Sequence, residues 1–290
     1  MFKKTALVAG IGLALSVTAQ ADYRWELGGN YTAGQTETNQ ADIDSSTGTL
    51  FGSWYMEDVD SSKGPLSEAA FLDHASDITL SGDYGEIDLG DVGLDDVNSQ
   101  AYGVSGRYVA EGPGWKLSGW LVDLGYRHLE PNDNGDVEFD TYNIGIGNYI
   151  TENTTLVLNY NAASINNSGD TDGYSADLEH MWLMSNGGGF KARASYGVVT
   201  VKEADDIDTY NLGGTWYFTN NFGIGADYFN VAGLNDAIPG SDGLEFEGWQ
   251  VTSEWFITEA FAVNLAGGQL EYDNLETDSD FASIGAKLRF

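Results

Sequence analysis

Charged side chains recur at every second position in short segments whose intervening residues are apolar. Lys191 and Arg193 form one such pair, and Asp177 and Glu179 form an acidic pair in the preceding segment. A spacing of two residues places side chains on one face of a β-strand. Charges gathered on one face can attract, repel or select small ions and polar solutes. The chemistry that these residues indicate is therefore electrostatic.

Covalent and metal chemistry have little support in the chain. It has no cysteine, and its three histidines (His74, His128 and His180) are far apart in sequence. It contains neither a phosphate-binding glycine loop nor an HExxH motif. The acidic stretch GDTDG lacks the ligand spacing of an EF-hand and supports only weak divalent-cation bridging at acidic loops. We predict no enzymatic activity, cofactor or metal centre, and the net charge of −33 excludes nucleic acid as a partner.

The first 21 residues have the features of a secretory signal peptide. Lys3 and Lys4 precede an apolar run over 6–17 and an AQA cleavage site. A membrane anchor is the alternative, although the run is too short to span a bilayer. We predict that residues 1–21 are removed and that residues 22–290 form one exported domain, which without cysteines does not depend on disulfides.

Alternation of apolar and polar residues continues along the whole of this domain. In 222–229, for example, Phe222, Ile224 and Tyr228 share one face, and Gly223, Gly225 and Asp227 share the other. No apolar run reaches the length of a transmembrane helix, whereas a transmembrane barrel needs only about 9–11 alternating residues per strand. The pattern predicts strands near 22–34, 46–58, 77–89, 98–110, 114–127, 137–150, 154–165, 174–184, 189–201, 208–218, 222–231, 244–256, 260–271 and 280–290.

These segments predict an all-β protein, a transmembrane antiparallel β-barrel of about 14 strands. In the third and fifth segments the apolar residues change face, which predicts a β-bulge in each. Connections near 111–114, 151–153, 185–188, 219–221 and 258–260 are short, and the others are longer and acidic. This alternation is typical of outer-membrane barrels with short periplasmic turns and longer external loops.

One connection departs from this rule. Residues 61–76 should form a short periplasmic turn but make the longest link of that set, with Pro65 and good helix formers in LSEAAFL. We predict a short helical periplasmic insert that packs under or into the barrel mouth. The alternative is an extra pair of strands, which would raise the number to 16.

The charged residues with inward alternation are the candidate pore lining. They are Arg24, Glu26, Arg107, Lys116, Asp177, Glu179, Lys191, Arg193, Asp227, Lys287 and Arg289. On the opposite face, tryptophans and phenylalanines near one end of the strands and tyrosines near the other predict two membrane-interface girdles. The alternative for the inward charges is that they form salt bridges in a filled lumen.

Three segments carry a resemblance to a known family. The start ADYRWELGG, the segment GPLSEAAFL and the end KLRF resemble the general porins of Gram-negative bacteria. The resemblance implies an outer-membrane channel for small hydrophilic solutes. It also implies insertion by the barrel-assembly machinery, which would read the last strand and its terminal Phe290.

The sequence thus predicts a passive diffusion channel in the outer membrane, in contact with lipid and lipopolysaccharide. Acidic loops around one mouth predict modest cation selectivity, because charges within about 8 Å at physiological ionic strength add their potentials. Three alternatives remain open: a non-conducting surface barrel acting in adhesion or envelope interaction, a soluble secreted β-protein, and a hydrolase with a serine and histidine on the barrel wall. The permeant solute and the oligomeric state are left open.

Overall fold

A computed structural model describes residues 22–38, 42–90, 96–110, 119–131, 138–166, 169–201, 206–232, 245–272 and 277–290. The predicted signal peptide and Lys116 lie outside these ranges. The strands are β1 (Asp22–Glu37), β2 (Asp42–Asp60), β3 (Asp77–Asp88), β4 (Val97–Val109), β5 (Trp120–Pro131), β6 (Phe139–Thr151), β7 (Thr154–Ile165), β8 (Gly169–Leu183), β9 (Gly189–Val201), β10 (Ile207–Thr219), β11 (Phe222–Ala232), β12 (Phe246–Thr258), β13 (Phe261–Tyr272) and β14 (Thr277–Arg289).

Each strand pairs antiparallel with its neighbours in sequence, and β14 pairs with β1 to close the barrel. Closure leaves no unpaired sheet edge. The prediction of a 14-stranded antiparallel barrel is confirmed, and the alternative of 16 strands is wrong. Within the described ranges, no helix is long and apolar enough to cross a membrane.

The predicted bulges in the third and fifth strands are wrong for the described residues. The pairing of β3 and β5 with their neighbours runs without a register shift. In β5, Trp120, Val122 and Leu124 are exposed on the outer face, whereas Leu121 between them is fully buried on the inner face. The apolar residues change face because the barrel interior is apolar at this level, and no extra residue is inserted.

The two ends of the barrel differ in their connections. We call the end at which β1 begins and β14 ends the terminal end, and the opposite end the loop end. At the terminal end, the strand bounds leave short connections at 152–153, 184–188, 220–221 and 259–260. These agree with the predicted short turns, while the predicted turn at 111–114 lies outside the described residues. The placement of this end in the periplasm stays a prediction.

The connection between β2 and β3 folds back into the barrel. Residues 61–76, which we call the plug, contain two 3-10 turns (Ser61–Lys63 and Leu66–Glu68) and one turn of α-helix, α1 (Ala69–Leu72). Asp60 caps the first turn by accepting a hydrogen bond from the Ser62 backbone N–H. Pro65 is almost fully buried, so the connection is part of the interior and not a surface loop.

The end of α1 has a non-glycine residue in the left-handed region. His74 has φ 56°, and the backbone N–H groups of His74 and Ala75 donate to the carbonyls of Phe71 and Ala70. This is a Schellman motif, which commonly uses glycine at the left-handed position. The His74 ring lies 3.7 Å from the Tyr149 ring, centroid to centroid, and Nε2 lies 2.8 Å from the Glu152 carbonyl oxygen. These wall contacts offset the backbone strain.

Candidate functional site: the lumen and its plug

The plug crosses the lumen from one side of the barrel to the other. Phe71 and Leu72 lie in one apolar cluster with wall residues of β4 to β8 and β10, namely Val109, Leu121, Tyr149, Val157, Met181 and Tyr217. Leu66 packs with Phe256 of β12 and Ala262 of β13. Ala69 lies in a third cluster with residues of β1 and β2, namely Tyr23, Tyr55 and Val59. One short segment therefore contacts opposite walls at the terminal end.

Register shifts in the strands accompany these contacts. Among the described strand pairs, four pairings are irregular, next to Tyr23, Tyr149, Tyr217 and Phe256. Each of these aromatic residues is buried and belongs to a plug cluster. A β-bulge re-aims the side chain beside it. Here the irregularities occur where aromatic side chains turn inward beneath the plug.

A short sequence repeat marks three members of this ring of aromatic residues, although alternation alone does not predict them. Three short turns at the terminal end follow the triplets YIT, YFT and FIT at 149–151, 217–219 and 256–258. Each triplet has an aromatic residue, then an apolar residue, then threonine, and the first faces the plug. The repeat marks inward aromatic residues at a level where a water-filled pore would be lined by polar groups.

Glu68 is the main polar contact between plug and wall. Its carboxylate accepts a hydrogen bond from Lys191 Nζ at 3.0 Å and another from the Tyr217 hydroxyl. All three residues are buried. Burial by itself raises the pKa of Glu68, but the charge of Lys191 and the donated hydrogen bonds outweigh it and hold that pKa below its usual value. Glu68 is therefore an anion bound inside the barrel.

Backbone groups of the plug are also bound by the wall. Arg289 Nη1 donates to the Leu66 carbonyl oxygen at 2.6 Å, and the Leu66 N–H donates to the Asn220 carbonyl oxygen at 2.7 Å. The Tyr149 hydroxyl donates to the Phe71 carbonyl oxygen at 3.0 Å. These bonds satisfy peptide groups that would otherwise be buried without partners.

Ion pairs line the wall on the loop side of the plug. Arg193 of β9 reaches over β10 to Asp227 of β11, with Nη2 at 2.6 and 2.9 Å from the two carboxylate oxygens. Gly213 lies between them in register, and a Cβ there would come within 1.8 Å of Asp227 Oδ1. Glycine is therefore required at 213 for this pair to form.

Every described lysine or arginine that faces the lumen has such a partner. Besides Arg193, the pairs are Arg107 with Asp123, Arg127 with Asp83, Lys191 with Glu68 and Glu179, Lys287 with Glu254, and Arg289 with Glu26. Arg107 and Asp123 meet through two bonds of 2.8 Å. A cation whose partner is this close presents little net charge to a passing anion.

The structure places most of the predicted lining residues on the inner face. These are Glu26, Arg107, Asp177, Glu179, Lys191, Arg193, Asp227, Lys287 and Arg289. Arg24 departs from the expected position: its guanidinium lies 5.8 Å from the Trp54 ring centroid, beside the outward Trp25. The register shift between Tyr23 and Trp25 turns Tyr23 inward in its place.

Other lumen residues were missed by the sequence pattern. Arg127 and Asp123 lie on β5 and face the lumen. The predicted strand begins six residues earlier than β5 and has Lys116 inward, so its alternation assigns Arg127 and Asp123 to the outer face. Asp83 and Glu254 face inward on β3 and β12. Glu68 lies in the plug, which is not a β-strand, so the alternation of polar and apolar residues could not identify it as a lumen residue.

Residues of the described ranges line two cavities in the lumen between the plug and the loop end. The larger, of about 470 Å³, opens toward the loop end and is lined by small and polar residues such as Ser81, Asn143 and Thr171. The second, of about 210 Å³, lies nearer the plug and is lined by charged groups that include Arg107, Asp177, Glu179 and Arg193.

The outer face carries an apolar belt with aromatic borders. Exposed aliphatic residues such as Leu80, Leu158 and Leu212 occupy the middle of the strands. Most exposed tryptophans lie toward the terminal end and most exposed tyrosines toward the loop end, with Trp249 and Tyr108 as exceptions. Examples are Trp25, Trp182, Trp216, Trp255, Tyr31, Tyr142, Tyr174, Tyr196 and Tyr210. Phe290 is exposed, and its backbone bonds to Trp25 complete the closure. Two aromatic girdles around an apolar band are typical of outer-membrane barrels.

Solved structures with a similar fold include outer-membrane proteins and channels. The outer membrane protein Omp33 of Acinetobacter baumannii aligns with a TM-score of 0.60 and 22% identity over 93% of this chain and 99% of that one. A mutant of the monoaromatic hydrocarbon channel TodX aligns with a TM-score of 0.55 and 11% identity over 94% of this chain and 91% of that one. An outer membrane channel of Pseudomonas putida F1 aligns with a TM-score of 0.50 and 10% identity over 94% of this chain and 97% of that one.

No family model and no curated protein matches the chain. At the identities found among solved structures, the likeness shows the fold alone. That fold is the closed antiparallel barrel of outer-membrane porins and channels. It agrees with the resemblance to the general porins and with a location in the outer membrane.

Proposed function

We propose that the protein is an outer-membrane channel for small hydrophilic solutes whose periplasmic end is closed by the plug and opens when the plug leaves. The observation that carries this proposal is the polar lumen, which extends from the loop end to the plug inside a closed barrel. A barrel of 14 strands lies between those filled by side chains and those that leave an aqueous channel. Its interior therefore has room for a pore once the plug is removed.

The ion pairs support reversible opening. If the plug leaves, Lys191 keeps Glu179 at 3.4 Å and Arg289 keeps Glu26 at 2.6 Å. Neither of these two wall cations would be left buried and unpaired, which is the costly case for a broken ion pair. Glu68 itself would move into water with the plug.

We further propose modest cation selectivity. The wall cations are neutralised by neighbours, whereas acids such as Asp44, Asp278 and Asp280 stand on strand ends at the loop end. Their field concentrates cations at the mouth, and salt screens it over about 8 Å at physiological ionic strength. Selectivity should therefore weaken as salt rises.

Reversal potentials of Glu68→Gln in a planar bilayer under a KCl gradient test this proposal. We expect potassium to be favoured at low salt, and the preference to fall in the double variant Asp44→Asn/Asp280→Asn. Glu259→Gln, at an exposed turn of the terminal end, is the matched control and should keep the preference. A preference for chloride would show that the wall cations control permeation.

The plug also favours a second candidate, a non-conducting surface barrel acting in adhesion or envelope interaction. In that case the plug is a permanent part of the core. The two candidates differ in one result: a non-conducting barrel gives no current in wild type or in Glu68→Gln, although both are folded.

A further inference from the structure

We infer that Lys191 and Tyr217 form a carboxylate-binding site for small α-amino acids, which Glu68 occupies while the plug is closed. The inference rests on the proposed channel function and names the class of solute that opens it. Glu68 would then act as a built-in competitor of the solute. The argument depends on which groups build the site, on what remains when Glu68 leaves, and on the cavity beside it.

Both donors of the site belong to the wall and are held in place there. Lys191 lies on β9 and Tyr217 on β10, and both are buried. The Tyr217 ring covers Gly223 of β11, where a Cβ would lie 2.5 Å from a ring carbon. Lys191 Nζ lies 3.4 Å from Glu179 of β8, a wall contact that stays when the contact of Nζ with the Phe71 ring of the plug is lost. Departure of the plug therefore leaves two positioned donors.

The site keeps its capacity for an anion after Glu68 leaves. An ammonium group has three N–H donors, and Glu179 at 3.4 Å is a partner for only one of them. The Tyr217 hydroxyl donates to Glu68 in the closed state and would then need a new acceptor. A solute carboxylate can accept from both groups, as the Glu68 carboxylate does.

The cavity beside the site supplies a place for a positive charge. Glu179 lines the cavity of about 210 Å³ and also contacts Lys191. Asp177, in the same lining, accepts a hydrogen bond from Asn159 and has no lysine or arginine partner within the described part of the chain. Arg107 and Arg193 also line this cavity, but each is paired with a carboxylate of its own, Asp123 and Asp227. Once Glu68 has left, Lys191 is the one cation of the described residues that is left to offset both Asp177 and Glu179, and this excess of carboxylates favours an ammonium group over a second anion.

The spacing of these groups matches an α-amino acid. Glu179 Oε2 and Lys191 Nζ are 3.4 Å apart, so an anion bound by Lys191 lies beside a cation bound by Glu179. An α-amino acid carries its carboxylate and ammonium on one carbon atom. A simple carboxylate would accept from Lys191 and Tyr217 as Glu68 does, but it would bring no cation to Glu179 and Asp177, and a simple amine could not use Lys191 or Tyr217.

Binding of the solute and closure of the plug are then mutually exclusive. A ligand that binds only the open state shifts the population toward that state. Its apparent affinity also rises with the fraction of molecules that are already open. Glu68→Gln should therefore raise both the open probability and the apparent affinity for the solute.

Titration with glycine tests the inference, with ethylamine and acetate as probes that lack one of the two charges. Open probability in planar bilayers and heat of binding in detergent are measured for wild type, Glu68→Gln, Lys191→Met and Tyr217→Phe. Lys287→Met is the matched control, because Lys287 is a lumen lysine that pairs with Glu254 and does not contact Glu68. Heat-modifiable mobility on gels confirms that each variant is folded.

We expect glycine, and neither ethylamine nor acetate, to raise the open probability of wild type. Glu68→Gln should lower the half-maximal glycine concentration roughly tenfold, as a tenfold larger open fraction requires. Lys191→Met and Tyr217→Phe should conduct more than wild type but lose or weaken the glycine response, and Lys287→Met should keep it. If Glu68→Gln conducts but glycine has no effect and no heat of binding, the inference is overturned while the channel proposal stands. An equal response to acetate would also overturn it.

Discussion

The two halves of the lumen are built by the same strands but have opposite interiors. Toward the loop end the inward residues are small or polar, such as Ser105, Asn161 and Gly173, and they surround an open cavity. Toward the terminal end they are apolar or aromatic, such as Leu121 and Phe256, and they pack on the plug. The inward residues of the wall therefore differ with what they surround: they are small or polar around the cavity and apolar or aromatic around the plug.

The first way to test the comparison is to disturb the ion-paired layer between the halves. Gly213→Ala places a Cβ within 1.8 Å of Asp227 Oδ1 and should displace the Arg193–Asp227 pair. We expect a loss of about 1–3 kcal/mol in unfolding free energy, as for overpacking elsewhere. Urea unfolding in detergent measures it. Gly48→Ala is the control, since a Cβ there meets nothing within 4 Å. Equal stability of the two variants would contradict the assigned geometry.

The second prediction concerns the hydroxyl of Tyr217. Tyr217→Phe removes a hydrogen bond to the charged Glu68, and bonds to charged groups contribute about 1.5–3 kcal/mol. The open probability should rise at least roughly tenfold in single-channel recordings, since about 1.4 kcal/mol corresponds to tenfold. Tyr196→Phe removes a similar hydrogen bond, from the Tyr196 hydroxyl to Asp208 on the outer face, and should leave the open probability unchanged. Indistinguishable recordings of the two variants would argue against a gating role for Glu68.

A smaller effect is expected at the end of the plug. His74→Ala removes the ring contact with Tyr149 and the contact of Nε2 with the Glu152 carbonyl oxygen, but leaves the left-handed backbone at this position. Aromatic pairs contribute about 0.5–1.5 kcal/mol, so the open probability should rise several-fold. His180→Ala, whose ring contacts Trp182 on the outer face, serves as the control. Recordings that show no change for His74→Ala would mean that α1 is held by its apolar residues alone.

The smallest expected effect is that of moderate acid. The pKa of Glu68 is lower in the closed plug than in water, chiefly because Lys191 and Tyr217 outweigh the effect of burial. A lowered pKa gives stability that is complete above the ordinary glutamate pKa of about 4.3 and is lost only as pH falls through the lower value. Open probability should therefore be the same at pH 7.5 and at pH 5.5. A channel that opens steeply over that interval would require a different titrating group.

The fold could be predicted because alternation is a local signal. Phe222 to Tyr228, for example, carry their own inner and outer faces whatever the rest of the chain does. Pairs such as Arg193 with Asp227 could not be predicted, because they span a third strand and depend on Gly213 having no side chain. Arg24 was misplaced because one register shift reverses its face.

The plug was predicted as a segment but its contacts were not. Helix formers in 65–72 are visible in sequence, whereas the partner of Glu68 lies more than 100 residues away, on β9. From sequence alone, apolar residues on both faces of β5 predict a bulge, whereas in the structure they mark the layer where Leu121 meets the plug. Alternation that fails in one layer of a barrel can thus indicate a filled lumen at that level.

Single-channel recording of wild type and Glu68→Gln in the same bilayer tests the central claim most directly. If the plug closes the lumen and Glu68 holds it, wild type is mostly closed and Glu68→Gln has an open probability at least roughly tenfold higher, in line with about 1.4 kcal/mol or more lost from the closed state. The conductance of each opening should be the same in both, because the wall is unchanged. Steady full conductance of wild type, with no further change in Glu68→Gln, would contradict the account.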